Sequence, residues 1–254
     1  MKKCMFIALA TIIAASMAFA DLGSVVRSFA IPGGNSGGSG RSNGYLYSTD
    51  YSPGTIYRMN PTSGSVVTSY TAAGGSNTRG LAYQWGGYLW QNQAYSSPYR
   101  IYRTNEVNGS VYNYYSLPTN YVHGSAVLAT GDGGEGTTRI ILSRYNATST
   151  IYYMTTTGTI SSSISCNTYL YEVAYDWRNR LIWGGMNDGY VYGFTTTGSR
   201  VASFRKPSGN VYSITYHGQY LWVAGTSGMF YQIHCPGNVG VKPTSMGKIK
   251  AMFE

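Results

Sequence analysis

The chain has 254 residues, a formal net charge of +9, only 11% charged residues and 26 tyrosines. Its cations are scattered singly, which excludes the basic stripe that a nucleic-acid partner requires. Beyond the first twenty residues no apolar run approaches the ~20 residues of a membrane span.

In chain order, residues 1–20 read as a secretory leader. Lys2 and Lys3 form its charged end, an apolar stretch follows, and Ala18-Phe19-Ala20 supplies a small-x-small cleavage pattern. The expected location is outside the cytoplasm: secreted, periplasmic or at the cell surface. Residues 21–235 are expected to form one domain, and 236–254 a tail without a repeat match.

An aromatic-rich couplet then recurs five times: Tyr45-Leu46-Tyr47, Tyr88-Leu89-Trp90, Ile140-Ile141-Leu142, Leu181-Ile182-Trp183 and Tyr220-Leu221-Trp222. Each precedes a second strand-like segment whose tyrosine stands at position 57, 102, 152, 192 or 231. A period of roughly 40–50 residues with several short strands per unit is the sign of a β-propeller. The second unit reads most clearly. Gly80-Leu81-Ala82-Tyr83 is its inner strand, Tyr88-Leu89-Trp90 the second, residues 99–104 the third and 110–114 the outermost. Alternating β-branched and aromatic residues bounded by Gly and Asn suit short antiparallel strands.

The first unit has a glycine-rich run at 33–40 where an inner strand belongs, so that strand is degenerate or a loop. The third carries an insertion at 130–137. The fifth lacks a fourth strand, whereas Gly23-Ser24-Val25-Val26-Arg27-Ser28-Phe29 closely matches the outer strand Gly64-Ser65-Val66-Val67-Thr68-Ser69-Tyr70. The expected fold is therefore an all-β, five-bladed β-propeller with four-stranded antiparallel blades, closed by an N-terminal strand. Closure of this kind removes sheet edges that invite aggregation.

Chemical motifs are sparse. No catalytic triad order, phosphate loop or paired-cysteine metal motif is present, so no catalytic residue, metal or cofactor is assigned. His123, His217 and His234 fall at unrelated positions, and His217 reads as a solvated turn residue. Asp132-Gly133-Gly134-Glu135-Gly136 offers too few oxygens for a calcium loop. Cys166 and Cys235 end strands of opposite direction in different blades, which predicts two free, buried thiols.

The propeller frame indicates which side chains converge. Aligned inner strands bring Arg79, His123, Tyr171 with Glu172, and Tyr212 to one channel mouth. Loops between second and third strands add Asp50, Tyr51, Tyr95, Tyr145, Asn187 and Asp188. The candidate ligand-binding set is Tyr51, Arg79, Tyr95, His123, Tyr145, Glu172, Asn187, Asp188 and Tyr212. Aromatic, amide and carboxylate groups together suit a sugar or peptide. The opposite face shows short Gly-rich turns such as Thr157-Gly158.

The pattern Gly-Leu-Ala-Tyr, Tyr-Leu-Trp, Ile-Tyr-Arg and Asn-Gly-Ser-Val resembles secreted bacterial propellers of the YVTN and quinoprotein-like superfamily. It is more distantly similar to the five-bladed glutaminyl-peptide cyclotransferases. The second resemblance implies a glutamate just before the Gly-Leu of an inner strand. Here Glu172, in Glu172-Val173-Ala174, stands at such a position, while Arg79-Gly80-Leu81 lacks the acid.

Three functions follow as expectations. The leading one is an exported, non-catalytic propeller binding a glycan, peptide or partner protein at the loop-rich face. The others are a structural or surface-assembly protein that self-associates, and a cyclotransferase-like enzyme using Glu172. A buried, desolvated Glu172 at the mouth favours the enzyme, and an exposed one paired with Arg79 favours binding.

Overall fold

The computed structural model describes residues 22–236, apart from residues 35, 43, 51, 96 and 147. The leader at 1–20, the tail from 237 onward and the candidate residue Tyr51 lie outside the described residues.

Strand β1 (Val25–Ala30) precedes five inner-to-outer series. Blade one is β2 (Gly38–Arg41), β3 (Leu46–Asp50), β4 (Thr55–Met59) and β5 (Val66–Thr71). Blade two is β6 (Thr78–Gln84), β7 (Tyr88–Gln93), β8 (Arg100–Asn105) and β9 (Val111–Ser116). Blade three is β10 (Val122–Leu128), β11 (Arg139–Arg144), β12 (Thr150–Thr155) and β13 (Ile160–Ser165). Blade four is β14 (Val173–Asp176), β15 (Leu181–Gly185), β16 (Tyr190–Thr195) and β17 (Arg200–Arg205). Blade five is β18 (Ser213–His217), β19 (Tyr220–Ala224), β20 (Met229–His234) and, outermost, β1. All pairings are antiparallel. Phe29 stands opposite Phe230 and Arg27 opposite Gln232, so the N-terminal strand closes the ring as its sequence predicts.

The core lies between blades. Trp90 and Trp183 are fully buried and Trp222 is 3% exposed, whereas Trp85, in the turn between β6 and β7, is 53% exposed. The second strands of blades two, four and five thus drive their tryptophan into the neighbouring blade, where burial of a large apolar side chain contributes roughly 1.5–3 kcal/mol. The couplet of blade three is offset by one residue. Ile141, not Leu142, pairs with Ala126 at the level where Trp90 pairs with Ala82.

A second repeated contact explains the glycine before four of the five outer strands. Phe29 packs on Gly64, Tyr70 on Gly109, Tyr115 on Gly158, and Phe204 on Gly23. A Cβ on Gly64, Gly109 or Gly158 would run into the ring, one on Gly23 would press on the Phe204 Cβ at 3.0 Å, and all four have positive φ. Glycine is the only residue that meets both demands without strain.

Several expectations are corrected. The inner strand of blade one does form, as the four residues of β2. His217 is not a solvated turn residue but the half-buried last residue of β18, and burial lowers its pKa to about 4. Cys166 and Cys235 are free and buried as expected.

The opposite face is not merely short turns, because the insertion of blade three crosses it. A 3-10 turn at Asp132–Gly134 places Asp132 Oδ1 2.8 Å from Trp177 Nε1 of blade four and 2.8 Å from the Gly218 amide of blade five. Arg178 Nη2 lies 3.6 Å from the other carboxylate oxygen. Gly134 rests on the backbone of Tyr83 and Gln84 in blade two, where a Cβ would not fit.

Candidate functional site

The pairing register puts Gly38, Gly80, Gly124, Glu172 and Ser213 at one level of the inner ring. Each lies two residues ahead of the partner of Tyr47, Trp90, Ile141, Trp183 or Trp222. Three glycines here let inner strands approach closely. A Cβ on Gly80 would be 2.5 Å from the His123 carbonyl, and one on Gly38 would be 2.7 Å from Glu172 Oε2.

Glu172 therefore sits one residue deeper than the sequence alignment placed it, in the glycine ring rather than at the mouth. Its side chain is fully buried. Inner strands expose unpaired backbone N–H groups along their channel edge, and a carboxylate is a strong acceptor for them. Glu172 Oε1 accepts from the Ser125 amide at 2.6 Å, and the amides of Val173 and Leu81 also face the carboxyl. Burial outweighs these hydrogen bonds and holds its pKa well above the usual carboxylate range.

The residues just ahead of that ring form the mouth. Arg79, His123, Tyr171 and Tyr212 occupy it, and the rim loops add Tyr95 and Tyr145. Their rings run continuously. Tyr95 meets His123 edge-on at 5.0 Å, His123 stacks on Tyr145 at 5.0 Å, and Tyr145 stacks on Tyr171 at 4.3 Å. Tyr171 in turn meets Tyr212 edge-on at 4.5 Å. The Arg79 guanidinium lies 5.0 Å from the centre of the Tyr95 ring. Tyr171 donates its hydroxyl to Tyr145 at 3.1 Å, and the Asn187 amide reaches the same Tyr145 oxygen at 3.4 Å.

His123 is 1% exposed, and neither ring nitrogen has a hydrogen-bond partner among the described residues. Burial, aided by the Arg79 charge, lowers its pKa to about 3, so the imidazole is neutral. Burial also raises the Tyr171 hydroxyl. His123 and Tyr171, at the centre of the stack, are thus both neutral near pH 7.

The structure brings together Arg79, Tyr95, His123, Tyr145, Asn187 and Tyr212 from the candidate set. Glu172 lies beneath them. Asp188 turns toward its own blade, where its carboxylate accepts from the Tyr190 amide and the Tyr192 hydroxyl, both at 2.9 Å. Two residues escaped the sequence reading. Tyr121 and Tyr169 stand two positions before His123 and Tyr171, and they join the cluster through Tyr95 at 5.5 Å and Tyr145 at 5.4 Å. The repeated Tyr-x-aromatic spacing was the available signal. Tyr95, Tyr121 and Tyr169 are the exposed rings of the cluster, at 39%, 43% and 44%. Tyr121 also holds a positive φ of 56°, a conformation that a bulky residue adopts only when its surroundings impose it.

Among the described residues no group of three His, Cys, Asp or Glu side chains converges on a metal site. Among the described residues no helix is long and apolar enough to cross a membrane. No protein-family model and no curated protein matches the chain. Among solved structures, the crystal structure of a glutaminyl cyclase from Myxococcus xanthus is similar, with a TM-score of 0.66 and 11% identity. The alignment covers 83% of this chain and 95% of that one. At that identity the likeness is one of fold.

Proposed function

We propose that this chain is an exported, non-catalytic binding propeller that holds a glycan against the aromatic channel mouth. The observation that carries this reading is the continuous run of rings from Tyr95 to Tyr212, flanked by the exposed Tyr95, Tyr121 and Tyr169. Tyrosine offers a flat apolar surface for the C–H faces of a sugar and a hydroxyl for its polar rim. The neutral His123 and the nearby Asn187 amide suit a ligand rich in neutral hydroxyls. Arg79 supplies a cation beside Tyr95.

One observation favours a second reading, a cyclotransferase-like enzyme on the similar fold of the glutaminyl cyclase. Glu172 is desolvated and its pKa is raised above the usual carboxylate range, the direction a general acid/base needs to exchange protons near neutrality. Against this, its carboxyl bonds the Ser125 amide and is walled in by Gly38 and Leu81, beneath the mouth.

Calorimetric titration with neutral oligosaccharides and with peptides, beside an assay for cyclisation of N-terminal glutamine, separates the two. Tyr95→Ala and Tyr121→Ala are expected to weaken glycan binding several-fold, about 1 kcal/mol per ring. Thr157→Ala and Thr197→Ala, on the opposite face, should leave it unchanged. Cyclisation that disappears in Glu172→Gln would replace the binding reading with the enzyme.

A further inference from the structure

The ring-on-glycine contact that repeats around the propeller breaks at one junction. The fifth residue of the outer strand is Phe29, Tyr70, Tyr115 or Phe204 in four blades, but Ile164 in blade three. Its Cδ1 stays 3.8 Å from where a Cβ on Gly198 would stand. The turn that an aromatic ring would brace is held by another residue. Tyr115 donates its hydroxyl to the Thr156 carbonyl of blade three, whereas the equivalent Thr196 carbonyl of blade four is bonded at 2.8 Å by Tyr153 of β12. The outer part of the junction between blades three and four is left open.

Two open grooves meet there at Arg200. One, of about 570 Å³, runs between residues 165–168 and 197–200 beside Phe194. The other, of about 480 Å³, lies over Tyr190 and Tyr192. Alternation along β16 turns Tyr190, Tyr192 and Phe194 to one face, the side on which Phe194 packs with Ile151 and Tyr153 of blade three. Tyr190 and Tyr192 stack at 5.8 Å. The Arg200 guanidinium lies 5.0 Å from the centre of the Tyr192 ring, and that of Arg205 lies 5.9 Å from Tyr190. Among the described residues neither arginine is ion-paired with a carboxylate. The Asp188 carboxylate beside them is taken by the Tyr190 amide and the Tyr192 hydroxyl.

These grooves adjoin the aromatic mouth. Thr168, on the wall of the first, directly precedes Tyr169 of the mouth cluster. Asn187, whose amide reaches the Tyr145 hydroxyl, opens the turn that leads to Tyr190. The chemistry of the grooves differs from that of the mouth. A stacked tyrosine pair receives the C–H face of a sugar ring, and a guanidinium beside it receives a carboxylate in a two-pronged hydrogen bond. The hydroxyls of Ser165, Thr197 and Ser199 on the wall suit the remaining polar rim of a sugar.

We propose that the groove between blades three and four is an acid-sugar subsite, which takes a uronate of the same oligosaccharide whose neutral residues lie at the mouth. The sugar ring rests on the tyrosine pair and its carboxylate meets Arg200. The proposal rests on the glycan reading of the mouth. It adds a charge requirement and a direction for the ligand, outward between blades three and four.

Calorimetric titration of residues 21–254 with three probes tests this. They are a hexamer alternating neutral sugar and uronate, the same hexamer with its carboxyls methyl-esterified, and the corresponding dimer. The acid hexamer is expected to bind about five-fold more tightly than its ester. Arg200→Gln and Ile164→Phe should each abolish that gain. The first removes the cation, and the second fills the groove with a ring of the kind that the other blades carry. Both should bind the dimer as the parent does, and unchanged thermal midpoints would show that they fold. Arg27→Gln, on the outer strand of blade five, changes net charge equally and should keep the gain. Equal affinity of the parent for acid and ester overturns the subsite and leaves the mouth reading intact. So does a gain that survives Arg200→Gln, or one lost equally in Arg27→Gln. Acid binding that depends on Arg200 while ester and dimer fail to bind would keep the groove and remove the mouth, and failure of all three probes overturns both.

Discussion

Glu172 Oε1 lies 2.6 Å from the Ser125 amide nitrogen, so one carboxyl joins the inner strand of blade four to that of blade three. The glycines at the same level in blades one to three leave the room that it fills. Its proton equilibrium is therefore a property of the ring.

Because burial raises the Glu172 pKa in the folded protein, the folded state keeps a proton that the unfolded chain has already released. Stability contributed by the neutral carboxyl is complete below the ordinary carboxylate range, about pH 4.3, and is lost as pH rises toward the folded value. Glu172→Gln removes that loss. Its thermal midpoint relative to the parent is expected to climb as pH rises above the ordinary carboxylate range, about 4.3, toward neutrality. A flat difference across that range would show that Glu172 stays ionised in the fold.

His123 works in the opposite direction. Its folded pKa of about 3 lies below the ordinary value of 6.5, so the stability from the neutral imidazole is complete above pH 6.5 and is lost as pH falls toward 3. By pH 4 that loss amounts to roughly 3 kcal/mol. His123→Phe keeps a ring in the stack without a titrating group. Urea denaturation of the two proteins should diverge only below pH 6.5, with the variant the more acid-resistant. Parallel curves at pH 4 and pH 7 would rule this out.

Ring closure depends on Phe29 seated against Gly64. Gly64→Ala both meets that ring and places a side chain at a φ of +75°. A cost of about 1–3 kcal/mol is expected. Phe29→Ala removes the collision but not the backbone strain, so the double variant should lose less than the sum of the two singles. Strict additivity in the mutant cycle would separate β1 from blade one. Deleting residues 22–30 should lower stability more than either substitution.

The tryptophans give a direct check on register. Trp183→Ala should cost roughly 3–5 kcal/mol, since the residue is fully buried and the cavity cannot close. Trp85→Ala, at a residue 53% exposed, should cost under about 1 kcal/mol. Equal losses at the two sites would contradict the blade packing.

Much of the mouth was legible in the repeat itself. Arg79, His123, Tyr171 and Tyr212 share one position in successive units, so an alignment of inner strands brings them to one ring. Asp188 was assigned to the same rim, but its short side chain is captured by the Tyr190 amide next to it in the chain. Local hydrogen bonds of this kind compete with any longer reach. Glu172 was misplaced by one residue because three of its ring equivalents are glycine, and a Cβ-less position carries no pattern to align.

By itself the sequence determined the period, the number of blades, the closing strand and the burial of Trp90, Trp183 and Trp222. Those features repeat, and each arises from alternation and turn chemistry within a few residues. The tertiary structure alone decided the side-chain contacts that join one blade to another outside the repeated packing. Glu172 meets Ser125 across 47 residues, Trp177 meets Asp132 across 45, and Gly218 meets Asp132 across 86. None of these belongs to the repeat. They depend on how far each blade is turned about the ring axis, which is set by side-chain packing between blades and leaves no trace in the spacing of residues along the chain.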